Sequence, residues 1–180
     1  MGGVPPTPEA WAALMAPDEG GRVGLNAAAA LTARAAEPAR PYPFHLASPL
    51  DAAPEALGPI DAWQVEWKWD GIRAQLIRRA GRVVLWSRGE ERLDGRFPEV
   101  EAAAAALPDG TVLDGELLAW RDDVPLPFAA LQTRIQRRRP AATALADTPV
   151  RFVAFDLLEA GGIDWRAKPL HERRLGLESL

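Results

Sequence analysis

Cysteine is absent from the 180 residues, so neither a disulfide framework nor a thiolate metal site can form. Histidine is nearly absent too: His45 and His171 are too few for a histidine-based zinc site. Any metal would therefore be a hard ion held by carboxylates and phosphates. No apolar run approaches the ~18 residues that span a bilayer. The first residues lack the basic-then-apolar pattern of a secretory signal, which points to a soluble, cytoplasmic protein. Positive charge is also not in excess. Lys and Arg number 21 against 25 Asp and Glu, a net charge of -4, so a nucleic-acid partner would have to be met by local basic patches.

Among what is present, seven tryptophans are many for this length. Such side chains anchor cores or stack on flat ligands. Residues 1–48 differ from the rest. Early Pro and Gly precede a short helix candidate at 8–15, and an Ala-rich helix candidate at 26–37 is closed by Pro38, Pro41 and Pro43. This stretch is expected to be a helical segment, the remnant of a DNA-binding domain, with the catalytic part covering 49–180. From Trp63 the period changes to two: Trp63, Val65, Trp67 and Trp69 alternate with Gln64, Glu66, Lys68 and Asp70, which predicts a strand with one aromatic face. Asp70-Gly71 predicts a turn. Residues 72–77 and 83–86 predict a hairpin around Ala80-Gly81. Helices are predicted from Pro98, over 128–138 and from Pro169, and strands over 111–120 and 150–158.

The densest chemistry lies in Glu66-Trp67-Lys68-Trp69-Asp70-Gly71-Ile72-Arg73. On a strand, Glu66, Lys68 and Asp70 would share one side. A lysine between two carboxylates is commonly a solvated ion-pair cluster. A lysine amine attacks an electrophile only without its proton, which calls for a dry surrounding or neighbouring positive charge. Trp67 and Trp69 are the expected shields and Arg73 the expected charge.

Glu66-x-Lys68-x-Asp70-Gly71-x-Arg73 resembles the first motif of the covalent nucleotidyl transferases: DNA ligases, RNA ligases and capping enzymes. Ser87-Arg88-Gly89, Asp114-Gly115-Glu116 and Phe155-Asp156-Leu157-Leu158 resemble the next three, in the family's order. Trp86-Ser87-Arg88-Gly89-Glu90-Glu91, Phe97-Pro98-Glu99, the run from Leu107 to Glu116, and Phe128-Ala129-Ala130-Leu131-Gln132 resemble bacterial ATP-dependent DNA ligases in particular. Pro41-Tyr42-Pro43-Phe44 resembles the segment leading into their catalytic domain.

The resemblance implies an α/β (α+β) fold of the nucleotidyl-transferase, ATP-grasp-like type, with helices packed on antiparallel sheets. It implies ATP as cosubstrate, Mg²⁺ beside its phosphates, and nicked double-stranded DNA as partner, in repair, replication or recombination. Lys68 would become joined to AMP. Glu66 would read the adenine amino group, or merely pair with Arg73 on the surface. Arg73 and Arg88 would hold ribose or phosphate oxygens. Glu116 would hold the ribose hydroxyls or help place the metal, and both roles stay open. Phe155 would stack on adenine, although an aromatic on a strand is more often core. Asp70 would shape the turn. Arg134, Arg137, Arg138 and Arg139 would touch DNA phosphates, or form a solvated helix end.

Two further motifs of the family, a metal-binding glutamate and a Lys-x-Lys pair, are expected beyond Leu180, together with an OB-fold domain. Slow or absent self-adenylation, no nick sealing by these residues alone and poor solubility are therefore expected. The competing expectations are a catalytically silent fragment that only binds nucleotide or DNA, and an RNA ligase or GTP-using capping enzyme.

Overall fold

In the computed structural model, which describes residues 39–180, the fold starts from a two-residue turn. Ala80 and Gly81 both have positive φ, 50° and 73°. Such a turn matches the natural twist of two antiparallel strands. It joins β1 (Ile72–Arg79) to β2 (Arg82–Ser87), with Leu76 opposite Leu85 and Ile77 opposite Val84. Asp109 holds the turn from outside, accepting from the backbone N–H groups of Ala80 and Gly81 and from Arg78.

The long strand β3 (Thr111–Arg121) pairs antiparallel with β1 on one side. On its other side it pairs antiparallel with β5 (Val150–Ala160). Two short strands, β4 (Val124–Pro125) and β6 (Ile163–Asp164), complete a sheet whose main order is β2-β1-β3-β5-β6, with β4 on β3. Pro98 starts α1 (Pro98–Ala104), where its missing N–H costs nothing. Helices α2 (Phe128–Ile135), α3 (Ala142–Asp147) and α4 (Leu170–Glu178) follow. This mixture of helices and antiparallel sheet is the expected fold class.

Strand alternation divides the sheet into two faces. Ala74, Leu76, Leu85, Leu113, Leu117, Ala119 and Leu157 point to one side, where they form the core with Phe97, Val100, Ala104 and Leu131 from α1, α2 and the turn before α1. The other face carries Arg73, Gln75, Asp114 and Glu116, as the register pairs Arg73↔Glu116 and Gln75↔Asp114 require.

Three expectations need correction. Residues 63–70 form no strand: two short 3-10 turns, Pro54–Leu57 and Ile60–Ala62, precede them, and no described strand pairs with them. Alternation selects a face, but a strand also needs a partner for its backbone N–H and C=O groups. The aromatic and apolar side chains expected on one strand face are accordingly open, with Trp67 83% and Val65 82% exposed.

The helix predicted over 128–138 stops at Ile135. The backbone of Arg139 is left-handed (φ 65°) and its N–H donates to the carbonyl of Gly95. Pro140 follows and disfavours helical backbone in the residue before it. Arg134, expected on a DNA-facing surface, is 1% exposed. Its guanidinium donates to the carbonyls of Ala144, Thr148 and Arg96 and to both oxygens of Glu99. It therefore ties α2 to α1 and to the end of α3.

The second compact unit of the chain is Pro41–Leu180, because Tyr42 is already packed on the sheet. The helix candidates at 8–15 and 26–37 lie outside the described residues. Among the described residues no helix is long and apolar enough to cross a membrane.

Replacing Arg134 by Ala strips several carbonyls of their donor and leaves Glu99 without its partner. The expected loss is about 3–5 kcal/mol in urea unfolding. An unchanged midpoint would contradict the structural role given to this side chain.

Candidate active site

The polar face is built on Arg73. Its guanidinium meets Asp114 with two parallel hydrogen bonds, Nε to Oδ1 at 3.1 Å and Nη2 to Oδ2 at 3.0 Å. This is the fork geometry that suits arginine and that lysine cannot reproduce. The Asp114 hydrogen bond raises the Arg73 pKa above its usual value, so its charge is fixed. Burial pushes the Asp114 carboxyl up, and the Arg73 fork pulls it part of the way back.

Beside this pair, Glu116 accepts from the Gly71 N–H at 3.2 Å. Burial raises its pKa, while that N–H, Arg73 and Arg88 work in the opposite direction. A Cβ on Gly71 would lie 2.2 Å from the Leu117 carbonyl, so only glycine lets the chain run this close to β3.

Phe155 reaches the same face through an irregularity in the ladder. Asp114 pairs with Asp156, yet Gly115 pairs with Ala154, so Phe155 is the extra residue of a β-bulge. Bulges re-aim side chains, and here the Phe155 ring stands 5.5 Å from the Arg73 guanidinium carbon. The Phe44 ring stands 5.9 Å from the same atom. On the opposite side of β3, a Cβ on Gly115 would lie 2.6 Å from the Phe152 ring and 2.5 Å from the Val153 carbonyl. The glycine between the two acids is thus what lets β5 pack close behind them. Asp156 is closed by Arg173 of α4, Nε to Oδ1 at 2.7 Å and Nη2 to Oδ2 at 3.1 Å.

The remaining predicted residues are placed as follows. Lys68 is exposed and lines an open cavity of about 320 Å³ with Trp69, Asp70, Leu118 and residues 125–128. Leu118 is on the same face of β3 as Asp114 and Glu116, two residues further along. Trp69 holds this stretch to β3 through Trp120, with ring centroids 5.9 Å apart. Trp67 does not shield Lys68, and Arg73 is committed to Asp114.

The side chain of Glu66 makes no hydrogen bond to the cluster, while the charge of Arg88 reaches Glu116 without a hydrogen bond. Glu66 is exposed and accepts from the Gln64 amide, and no hydrogen bond or ion pair joins it to Arg73. Arg88 is exposed, but its backbone N–H donates to the Arg73 carbonyl at 3.0 Å. Arg137, Arg138 and Arg139 are exposed. Among the described residues no group of three or more acids or histidines stands together as a metal site. Asp114 and Asp156 are both closed by arginines.

Sequence reasoning assigned no site role to Asp114, Asp156 or Arg173. The two acids could have been suspected from their place in the motifs. The Asp156–Arg173 pair spans 17 residues and has no local signature.

Residues 44–180 match the family model of the ATP dependent DNA ligase domain. The chain belongs to this ligase family. It is 39% identical over 140 residues to a probable DNA ligase of Koribacter versatilis, covering 78% of this chain and 24% of that protein. It is 47% identical over 131 residues to a probable DNA ligase of Opitutus terrae, covering 72% of this chain and 12% of that one. To DNA ligase C of Mycobacterium tuberculosis it is 42% identical over 132 residues, covering 72% of this chain and 36% of that one. Among solved structures it is similar to mycobacterial DNA ligase D complexed with ATP, at TM-score 0.52 and 34% identity, covering 63% of this chain and 35% of that one. The chain thus spans about a third or less of these ligases, and the ligase-domain fold is common to it and the solved structure.

The raised pKa of Glu116 fixes a sign for the pH dependence of this ligase domain. A carboxyl that holds its proton more tightly when folded costs stability as pH climbs above its ordinary value of 4.5, and the cost is full once pH passes the folded value. Glu116→Gln is therefore expected to be more stable than the parent at pH 7. The gap should narrow as pH falls through 4.5 in chemical unfolding series. A variant less stable at pH 7 than at pH 4, relative to the parent, would contradict the burial cost.

Proposed function

We propose that this chain is the nucleotide-binding part of an ATP-dependent DNA ligase that carries AMP on Lys68. In the first step the Lys68 nitrogen lone pair attacks the α-phosphorus of ATP. A P–N bond forms, the bond to pyrophosphate breaks, and the amine releases its proton. AMP then passes to a DNA 5′-phosphate. Attack by the adjoining 3′-hydroxyl closes the nick and releases AMP.

The observation that carries this reading is the meeting of Arg73, Glu116 and Phe155 on one sheet face. Lys68 lies on the segment that enters that face through Gly71. Phe155 offers a flat ring for adenine. Glu116 offers a carboxylate for the ribose hydroxyls. Arg73, already charged, would hold ribose or phosphate oxygens, and Arg88 would hold phosphate. Glu66 would turn toward the adenine amino group when nucleotide is bound. The exposed Arg137, Arg138 and Arg139 would hold the phosphates of a nicked duplex. Mg²⁺ would arrive with the ATP phosphates and neutralise part of their charge.

The exposure of Lys68 favours a second reading, in which this chain binds nucleotide without chemistry. An attacking amine calls for a dry surrounding, which this exposed side chain lacks, and pyrophosphate departure needs cations arranged around it.

Incubation with α-labelled ATP or GTP separates these readings. The proposal predicts a covalent label from ATP and not from GTP, stable to alkali and released by hot acid as a P–N bond requires, and lost in Lys68→Ala. Label from GTP would point to capping-type chemistry. Binding of ATP without label would leave the silent fragment.

A further inference from the structure

Residues 41–44 cross the polar face of the sheet, and they are pinned there more firmly than an approach segment needs. Tyr42 is 4% exposed. Its backbone makes two hydrogen bonds with a side chain of β1: N–H to Gln75 Oε1 at 2.8 Å, and Gln75 Nε2 to its carbonyl at 2.9 Å. The buried Gln75 amide thereby acts as a substitute strand for the segment.

The Tyr42 hydroxyl donates to Glu159 Oε2 at 2.7 Å. Glu159 is itself held by Arg79 through two bonds, Nε at 2.9 Å and Nη2 at 2.5 Å. The guanidinium carbons of Arg79 and Arg166 lie 5.4 and 4.1 Å from the Tyr42 ring. Gln75, Arg79 and Glu159 are all buried on β1 and β5, so the anchor is built from the sheet itself.

Two residues past this anchor stands Phe44, at the Arg73 guanidinium. Arg73 thus contacts two aromatic rings, Phe44 and Phe155, while Asp114 takes its Nε and Nη2. Its Nη1 has no hydrogen-bond partner among the described residues. We propose that Tyr42 and Phe44 are positioning residues: the Tyr42 anchor delivers Phe44 to Arg73, so that the guanidinium is fixed between two rings and a carboxylate with one nitrogen left to meet the nucleotide. The inference rests on the nucleotide reading of this face.

The test uses the whole 180-residue chain, ATP as ligand, isothermal titration for affinity and thermal melts for folding. Phe44→Leu keeps the apolar volume but removes the ring, and it weakens ATP binding about 3–10-fold with an unchanged midpoint. Phe44→Tyr restores parental affinity, which a merely space-filling role would not require. Tyr42→Phe, which loses the hydroxyl bond to Glu159, weakens binding in the same direction and adds nothing in the Phe44→Leu background. A parent that binds ATP beside a Phe44→Leu variant of equal affinity overturns this inference alone. So does a loss in Phe44→Leu that follows the midpoint and is not restored by tyrosine. A parent that does not bind ATP overturns the nucleotide reading and this inference together.

Discussion

The sheet unit, Pro41–Leu180, is arranged around the alternation of one strand, Thr111–Arg121. Because it is paired on both sides, its backbone is fully committed and its side chains can only point up or down. Leu113, Leu117 and Ala119 go down into the core with the helices, and Asp114 and Glu116 go up. A one-residue slip would bury both acids and expose the leucines. The core therefore fixes the register, and the register fixes where the acids stand.

Charge on the upper face is arranged in closed pairs. Arg73 with Asp114, Arg79 with Glu159 and Arg173 with Asp156 each use two parallel hydrogen bonds. Buried and half-buried ion pairs are poor sources of net stability, because desolvation offsets most of their attraction. What they supply is orientation. Glu116 is not among these pairs: it accepts from the Gly71 N–H, and burial raises its pKa.

Local signals carried much of this into the sequence. Ala80-Gly81 announced its hairpin, Pro98 its helix, and the strand expected over 111–120 carries Asp114 and Glu116 on one face. Phe155 was suspected only through its motif, because the bulge that turns it toward Arg73 is a property of two strands together and not of either alone. The arginine run misled for a similar reason. Its members look alike in sequence, but Arg134 falls on the inner side of its helix beneath Glu99, while the helix ends before the other three. The tryptophan alternation at 63–70 was read correctly as a pattern and wrongly as a strand, since no described partner completes its backbone hydrogen bonds. The Tyr42 anchor was illegible because Gln75 and Glu159 lie 33 and 117 residues away.

The central claim is that the upper face of this sheet is a nucleotide surface organised by Arg73. The most direct measurement is an NMR titration of the chain with ATP, following backbone and side-chain N–H signals. The account predicts shifts gathered at the Arg73 guanidinium, the Gly71 amide and the amides around Glu116 and Phe155, with the core side of α1 and α2 quiet. Shifts confined to the arginines at 137–139, or none at millimolar ATP, would contradict it.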